Sequence, residues 1–246
     1  MPPATPPCDN TCPYSGDGDC DDGGPGSEYQ YCAGGTDCDD CGWRVPSPPP
    51  PPLCQLHAEL VLVVDQSGSM WNHRFAMRAM LKSVAFQFEL HPDLARLAIV
   101  LFASSSQIAT PLTTNLTEVA SVIESYTPAG LTAISAAMLD AESVLAASRT
   151  TSPPPKRIII LFTDGEQSVS FGGDSDAIAV STAVRERTSA EVYAVGFGGA
   201  RRATLEAIAG RGNAFLGSSV QDIQSWLQDM CTRVSSPRIP PPLAPL

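Results

Sequence analysis

Positive charge is scarce in this chain: 15 Lys and Arg face 26 Asp and Glu over 246 residues, and the net charge is −11. Without a basic stripe there is little counterion release to gain from a phosphate backbone, which argues against a nucleic-acid partner. Long apolar runs are also missing. Runs such as Leu60–Val64 and Ile158–Phe162 fall far short of the roughly 20 residues that a membrane-spanning helix needs. Catalytic signatures are few. Ser67 lies in Gln-Ser-Gly-Ser rather than in a Gly-x-Ser-x-Gly elbow. The three histidines, His57, His73 and His91, stand outside any triad pattern and read as surface or loop residues, so an enzyme is not expected. Met1–Pro7 (MPPATPP) has neither the basic start nor the apolar centre of a secretory leader.

Cysteine, by contrast, is plentiful and unevenly placed. Six of the eight fall in the first 41 residues (Cys8, Cys12, Cys20, Cys32, Cys38 and Cys41), followed by Cys54 and Cys231. Residues 1–44 carry nine acidic groups and one basic group, Arg44, so −8 of the net charge belongs to that stretch and −3 to the remaining 202 residues. An even number of cysteines in a short stretch with few large aliphatics implies a disulfide framework formed in an oxidising, extracellular setting. The spacings Cys38-x2-Cys41 and Cys8-x3-Cys12 approach those of zinc ligands, but Asp and Gly surround them and no histidine precedes His57, so disulfides are favoured. Six cysteines allow 15 connectivities, among which the sequence does not choose. An extracellular protein without a leader at Met1 is reconciled by expecting a fragment whose signal lies upstream.

Composition divides the chain into a Cys/Asp-rich module over 1–44, a linker over 45–53 with the five prolines Pro48–Pro52, a globular domain over 54–234, and a proline-rich tail over 235–246. The five-proline run favours stiff polyproline II geometry. Within the domain, strands are expected at 59–65, 94–102, 106–110, 156–163, 191–195 and 214–216. Helices are expected at 75–90, 115–125, 132–148, within 176–188, at 203–209 and at 220–234. Apolar strands without alternation, interleaved with helices, imply an α/β fold: a doubly wound, mainly parallel sheet with helices on both faces. In such sheets ligands bind at the carboxyl ends of the central strands.

Both of the most apolar strands end in aspartate: Asp65-Gln66-Ser67-Gly68-Ser69 follows one and Thr163-Asp164-Gly165 the other, with Gly130-Leu131-Thr132 between them in sequence. Carboxylates and hydroxyls gathered at strand ends form an all-oxygen set suited to Mg²⁺ or Mn²⁺. Two carboxylates together without a cation would repel, and one would take up a proton. Asp65-x-Ser67-x-Ser69, Thr132 and Asp164-Gly165 resemble, in order and context, the metal-ion-dependent adhesion site of the von Willebrand factor type A domain, and the resemblance covers about residues 56–234. It implies that Ser67 and Ser69 coordinate the ion directly, that Thr132 joins directly or through water, and that Asp65 and Asp164 supply charge. It further implies an extracellular adhesion or matrix module that binds a partner protein's Asp or Glu carboxylate through the ion. The alternative is a structural wall or matrix component in which metal only supports the fold. The same resemblance implies a Cys54–Cys231 disulfide closing the domain, against which stand two independent thiols or pairing with the first module. Asn115-Leu116-Thr117 is a glycosylation sequon.

The first module, with Asp-Gly-Asp-Cys-Asp-Asp-Gly-Gly followed by Gly-Thr-Asp-Cys, resembles calcium-binding Lin-12/Notch-type repeats and, more closely, a Cys-rich module of extracellular green-algal and protist proteins. Two readings stay open: Ca²⁺ held by Asp17, Asp19, Asp21, Asp22, Asp37 and Asp39, or a disulfide knot with solvated aspartates.

Overall fold

The computed structural model describes residues 9–23, 27–33, 35–41, 54–165, 167–169, 172–217, 228, 231 and 232. The chain divides into two compact units, Met1–Pro51 and Pro52–Leu246. The linker expected over 45–53 and the tail expected over 235–246 lie outside the described residues.

Among its described residues the first unit has almost no apolar interior. Among them the buried hydrophobic ones are Cys12 and Cys20, and the helix α1 is the single turn Cys38–Cys41. Disulfides Cys12–Cys32 and Cys20–Cys41 hold it. Cys38 is disulfide-bonded as well, and Cys8 lies outside the described residues. Backbone N–H groups that have no ladder to join are taken up by side chains. Asp40 accepts from the amides of Gly16, Asp17 and Gly18, Glu28 from Cys20, and Asn10 from Cys38 and Asp39 at the start of α1. Main-chain donors outside helices and ladders still need partners, and here polar side chains supply several of them.

The second unit begins with β1 (Ala58–Asp65), buried along its whole length. A 3-10 helix over Gly68–His73 and α2 (Arg74–Gln87) follow. Then come β2 (Ala95–Phe102), β3 (Ser106–Thr113), α3 (Leu116–Ser125), α4 (Ile134–Ala146), β4 (Lys156–Thr163), α5 (Gly173–Thr188), β5 (Glu191–Gly196), α6 (Arg202–Ala209) and β6 (Ala214–Leu216). The six strands run in the order β3-β2-β1-β4-β5-β6. All neighbours are parallel except β3 against β2. The expected doubly wound architecture is therefore present. β1 has apolar neighbours on both sides because residues of each parity face a different layer. Leu60, Leu62 and Val64 pack with Met77, Met80, Leu81 and Val84 of α2 and with Val119 and Ile123 of α3. Val61 and Val63 pack with α4, α5 and α6 through residues such as Met138, Val184 and Ile208. The α2 set recurs at i, i+3, i+4 and i+7, the spacing of one helix face.

Several boundaries differ from the sequence expectation. β3 runs three residues past the expected Thr110, through Pro111, because it is an edge strand whose irregular pairing with β2 near Ile99 tolerates a missing N–H. α4 starts at Ile134 instead of Thr132, since the Thr132 carbonyl is taken by the amides of Ser168 and Val169. α5 starts at Gly173, three residues early, with Asp174 and Asp176 in its positive first turn. α2 ends at Gln87 instead of residue 90, where the chain turns extended at Phe88. The last expected helix, 220–234, lies outside the described residues except at Gln228, Cys231 and Thr232. Cys231 forms a disulfide with Cys54, the Cα atoms 6.1 Å apart.

Candidate metal centre at the sheet switch point

The strand order changes direction between β1 and β4: the chain leaves β1 towards β2 and β3, and leaves β4 towards β5 and β6. The following loops diverge, and the crevice they leave lies at the carboxyl ends of these strands. Asp65 is the last residue of β1 and Asp164 the first after β4. Direct hydrogen bonds link four of the five residues singled out by sequence. The Ser67 amide donates to Asp65 Oδ1 at 2.8 Å. The Ser67 and Ser69 hydroxyls lie 3.0 Å apart, and Ser69 Oγ donates to Asp164 Oδ1 at 2.8 Å. Asp65, Ser67 and Asp164 are buried, whereas Ser69 is exposed. The cluster thus has a closed floor and one side open to solvent.

The fifth residue, Thr132, is buried and tied in through its backbone. Its N–H donates to Ser168 Oγ at 2.9 Å. The loop before it is stitched to the loop after β1: Gly68 N–H donates to the Gly130 carbonyl at 2.9 Å, and Ala129 N–H to the Gln66 carbonyl at 2.7 Å. Gly130 has φ +88, and a Cβ there would sit 2.8 Å from Ser104 Oγ. A glycine is required for this close approach.

Two residues that sequence reasoning passed over complete the floor. Thr163 Oγ1 donates to Asp65 Oδ2 at 2.6 Å, and the buried Tyr126 hydroxyl donates to the Asp65 carbonyl at 2.7 Å. Thr163 could have been found from the pattern: the last β1–β4 pair is Val64 with Phe162, so the next residue along each strand is Asp65 and Thr163. Tyr126 carries no such signal, because it comes from a loop 61 residues away in the chain. Burial pushes the Asp65 carboxyl up to about 6, with the Asp164 charge adding to it, against hydrogen bonds from Ser67 and Thr163 that favour the ionised form. The Tyr126 hydroxyl is raised by the same burial and the same two carboxylates.

Neutral hydroxyls beside two carboxylates, one of them desolvated, with one open side, fit a hard divalent cation chemically. The donors are all oxygen, and the negative charge is only partly compensated by hydrogen bonds. The profile of the von Willebrand factor type A domain matches residues 59–231. The chain belongs to this family. Among curated relatives, the type A stretch is 26% identical over 162 residues to mouse collagen alpha-5(VI) chain, covering 64% of this chain and 6% of that one. It is 27% identical over 165 residues to human von Willebrand factor A domain-containing protein 2, covering 65% and 21%. This chain therefore spans only a small part of the curated relatives it matches. Among solved structures, the mussel byssus proximal thread matrix protein 1 "with zinc occupied MIDAS motif" aligns with TM-score 0.60 at 22% identity, covering 74% of this chain and 46% of that one. Manganese-loaded Plasmodium vivax TRAP protein aligns with TM-score 0.60 at 21% identity, covering 73% and 75%. These likenesses speak for the type A fold.

Of the acidic residues expected around a calcium ion in the first unit, Asp21, Asp22 and Asp37 are buried, while Asp17, Asp19 and Asp39 are exposed. Asp17 Oδ1 accepts from the Asp19 amide, and Asp22 Oδ2 from the Gly35 amide. The Asp21 carboxyl is raised, chiefly by burial and then by the charges of Asp17, Asp37, Asp19 and Asp40. The sequon residue Asn115 is the N-cap of α3, its Oδ1 accepting from the amides of Thr117 and Glu118.

Proposed function

We propose that the type A domain is a divalent-cation-dependent protein-binding module, in which Asp65, Ser67, Ser69, Thr132 and Asp164 hold Mg²⁺ or Mn²⁺ and a partner's Asp or Glu carboxylate completes the coordination. The observation that carries this reading is the chain of contacts from Asp65 through Ser67 and Ser69 to Asp164, closed beneath by Thr163 and open at Ser69. When bound, the ion supplies positive charge that neutral serine hydroxyls leave partly unsatisfied, so an acidic ligand is attracted. The residues of the chain then divide the work. Thr163 and the Ser67 amide fix both Asp65 oxygens, and Tyr126 fixes the end of β1 by its carbonyl. The pairing of the Gly68 and Gly130 loops keeps the serine turn beside the loop that carries Thr132.

The setting is extracellular, in a matrix or at a cell surface. Disulfides in both units support an oxidising compartment, and the matrix and adhesion settings of the relatives point the same way. Among the described residues no helix is long and apolar enough to cross a membrane. The test is calorimetric titration of the oxidised full chain with Mg²⁺ and Mn²⁺, beside an Asp65→Ala variant shown to be folded by circular dichroism. Binding at the wild-type site that disappears in the variant supports the reading. A folded wild-type chain that gives no heat with either ion overturns it, leaving a structural matrix element. Capture of acidic matrix proteins, lost both with EDTA and in Asp65→Ala, tests the carboxylate part separately.

A further inference from the structure

The first unit exposes three tyrosines together: Tyr14, Tyr29 and Tyr31 are 49%, 47% and 67% exposed. Their rings form one cluster. Tyr29 and Tyr31 stack with centroids 5.4 Å apart and planes at 11°, and Tyr14 leans on Tyr31 at 5.6 Å and 50°. The backbone sets this arrangement. Asp22 and Gln30 form an antiparallel bridge, so Tyr29 and Tyr31, on either side of Gln30, point to one face. Their amides donate to the carbonyls of Cys20 and Asp21. The Cys12–Cys32 disulfide then brings Tyr14, two residues after Cys12, to Tyr31, one residue before Cys32. Single exposed apolar residues are ordinary, but rings gathered on one face mark a contact surface. Tyrosine also supplies a large contact area with little side-chain entropy to lose.

The charge around the rings narrows the ligand. Residues 1–43 hold nine acidic groups and no Lys, Arg or His. Asp9, Asp17, Asp19, Glu28 and Asp39 are exposed; Glu28 precedes Tyr29, and the Asp17 amide donates to the Tyr14 carbonyl. Such a surface repels acidic ligands and attracts cationic ones. Because the rings stack on one another, they make a ridge and not the flat plane on which a sugar ring lies. Ridged aromatic surfaces suit polyproline II chains, whose prolines pack against the rings and whose conformation is preformed. An arginine in such a chain adds stacking on a ring and pairing with a carboxylate. This protein contains a segment of that chemistry: residues 237–245 read Pro-Arg-Ile-Pro-Pro-Pro-Leu-Ala-Pro, five prolines with Arg238 as the sole charge. We propose that the ridge of Tyr14, Tyr29 and Tyr31 binds the 237–245 segment of a second copy, with Arg238 among the acids beside the rings, so that copies associate without the metal centre.

The test is sedimentation velocity of the full oxidised chain over a wide concentration range in EDTA, which silences any metal-bridged contact. Association should rise with concentration, weaken as salt is added, and reverse on addition of a synthetic peptide of residues 235–246. Tyr31→Ser, with its disulfide map unchanged, should raise the dissociation constant about tenfold, while Tyr31→Phe keeps the ring and stays within about twofold of wild type. Arg238→Glu leaves the first unit intact and should weaken association about tenfold. A chain that stays monomeric overturns the proposal, even where the free peptide binds, since the occupant is then not a second copy. Association that Tyr31→Ser or Arg238→Glu leaves unchanged overturns it as well. Retention on a neutral polysaccharide that falls with Tyr31→Ser, in a chain that does not self-associate, overturns it and assigns the rings to sugar.

Discussion

The two units partner their carboxylates in different ways. In the type A domain Glu59, fully buried in β1, is met by the guanidinium groups of Arg96 and Arg149, and Asp65 by hydroxyls and an amide. These acids sit towards the two ends of a strand whose middle is apolar. In the first unit the acids are met by the backbone: Asp9, Asp22, Glu28, Asp37 and Asp40 each accept main-chain N–H groups. There a polar side chain does what a sheet ladder does elsewhere, and disulfides replace the core. The comparison teaches that a sheet domain is specified by a repeated pattern, tolerant of any one residue, whereas the small unit is specified by single side chains, each with its own assignment.

The sharpest way to break this comparison is reduction of every disulfide. Amides of residues 9–41 should lose all exchange protection, since nothing apolar remains to hold them, while amides of β1 and β4 stay protected by the two apolar layers. Hydrogen exchange followed by mass spectrometry, with and without reductant, reads both at once. Persistent protection in 9–41 after complete reduction would mean that the carboxylate network suffices alone. The converse perturbation is Leu62→Ala in the middle of β1. It should destabilise the domain by about 2–5 kcal/mol through lost burial and a cavity, read from denaturant unfolding of the second unit. The disulfide pairing of the first unit, mapped by mass spectrometry, should be unchanged.

The same contrast decides what could be read in the sequence. The runs 60–64 and 158–162 announced central parallel strands because residues of both parities are buried there, and the aspartates at their ends announced the crevice. Edges were less legible: β3 carries Gln107, Thr110 and Pro111, so its polar text hid three residues of strand. Contacts made across the chain, such as Tyr126 to Asp65, have no local signature at all. In the first unit the role of each acid was less legible still. Asp40, absent from the expected calcium set, accepts three amides, a role that no local pattern announces. Acid count predicts charge, but which acid faces which amide depends on where the disulfides place the loops.

The finest perturbation concerns Asn115, where one side chain of the type A domain is used as the acids of the first unit are. As a sequon it reads as a glycan site, yet its Oδ1 already accepts from Thr117 and Glu118 at the start of α3. Asn115→Ala removes both sequon and cap and should destabilise the domain by about 1 kcal/mol. Asn115→Asp removes the sequon but keeps an accepting oxygen beside the positive helix terminus, so its stability should stay near that of wild type. Thr117→Ala removes the sequon while leaving Asn115 in place. Thermal unfolding of the three variants from a host that adds no glycans isolates the cap. If Asn115→Asp falls as far as Asn115→Ala there, an accepting oxygen is not what the position requires. Mass analysis of the wild-type chain from a secreting host then reports separately whether the exposed amide nitrogen carries sugar. The cap and the glycan use different atoms of one residue, so either result leaves the other interpretable.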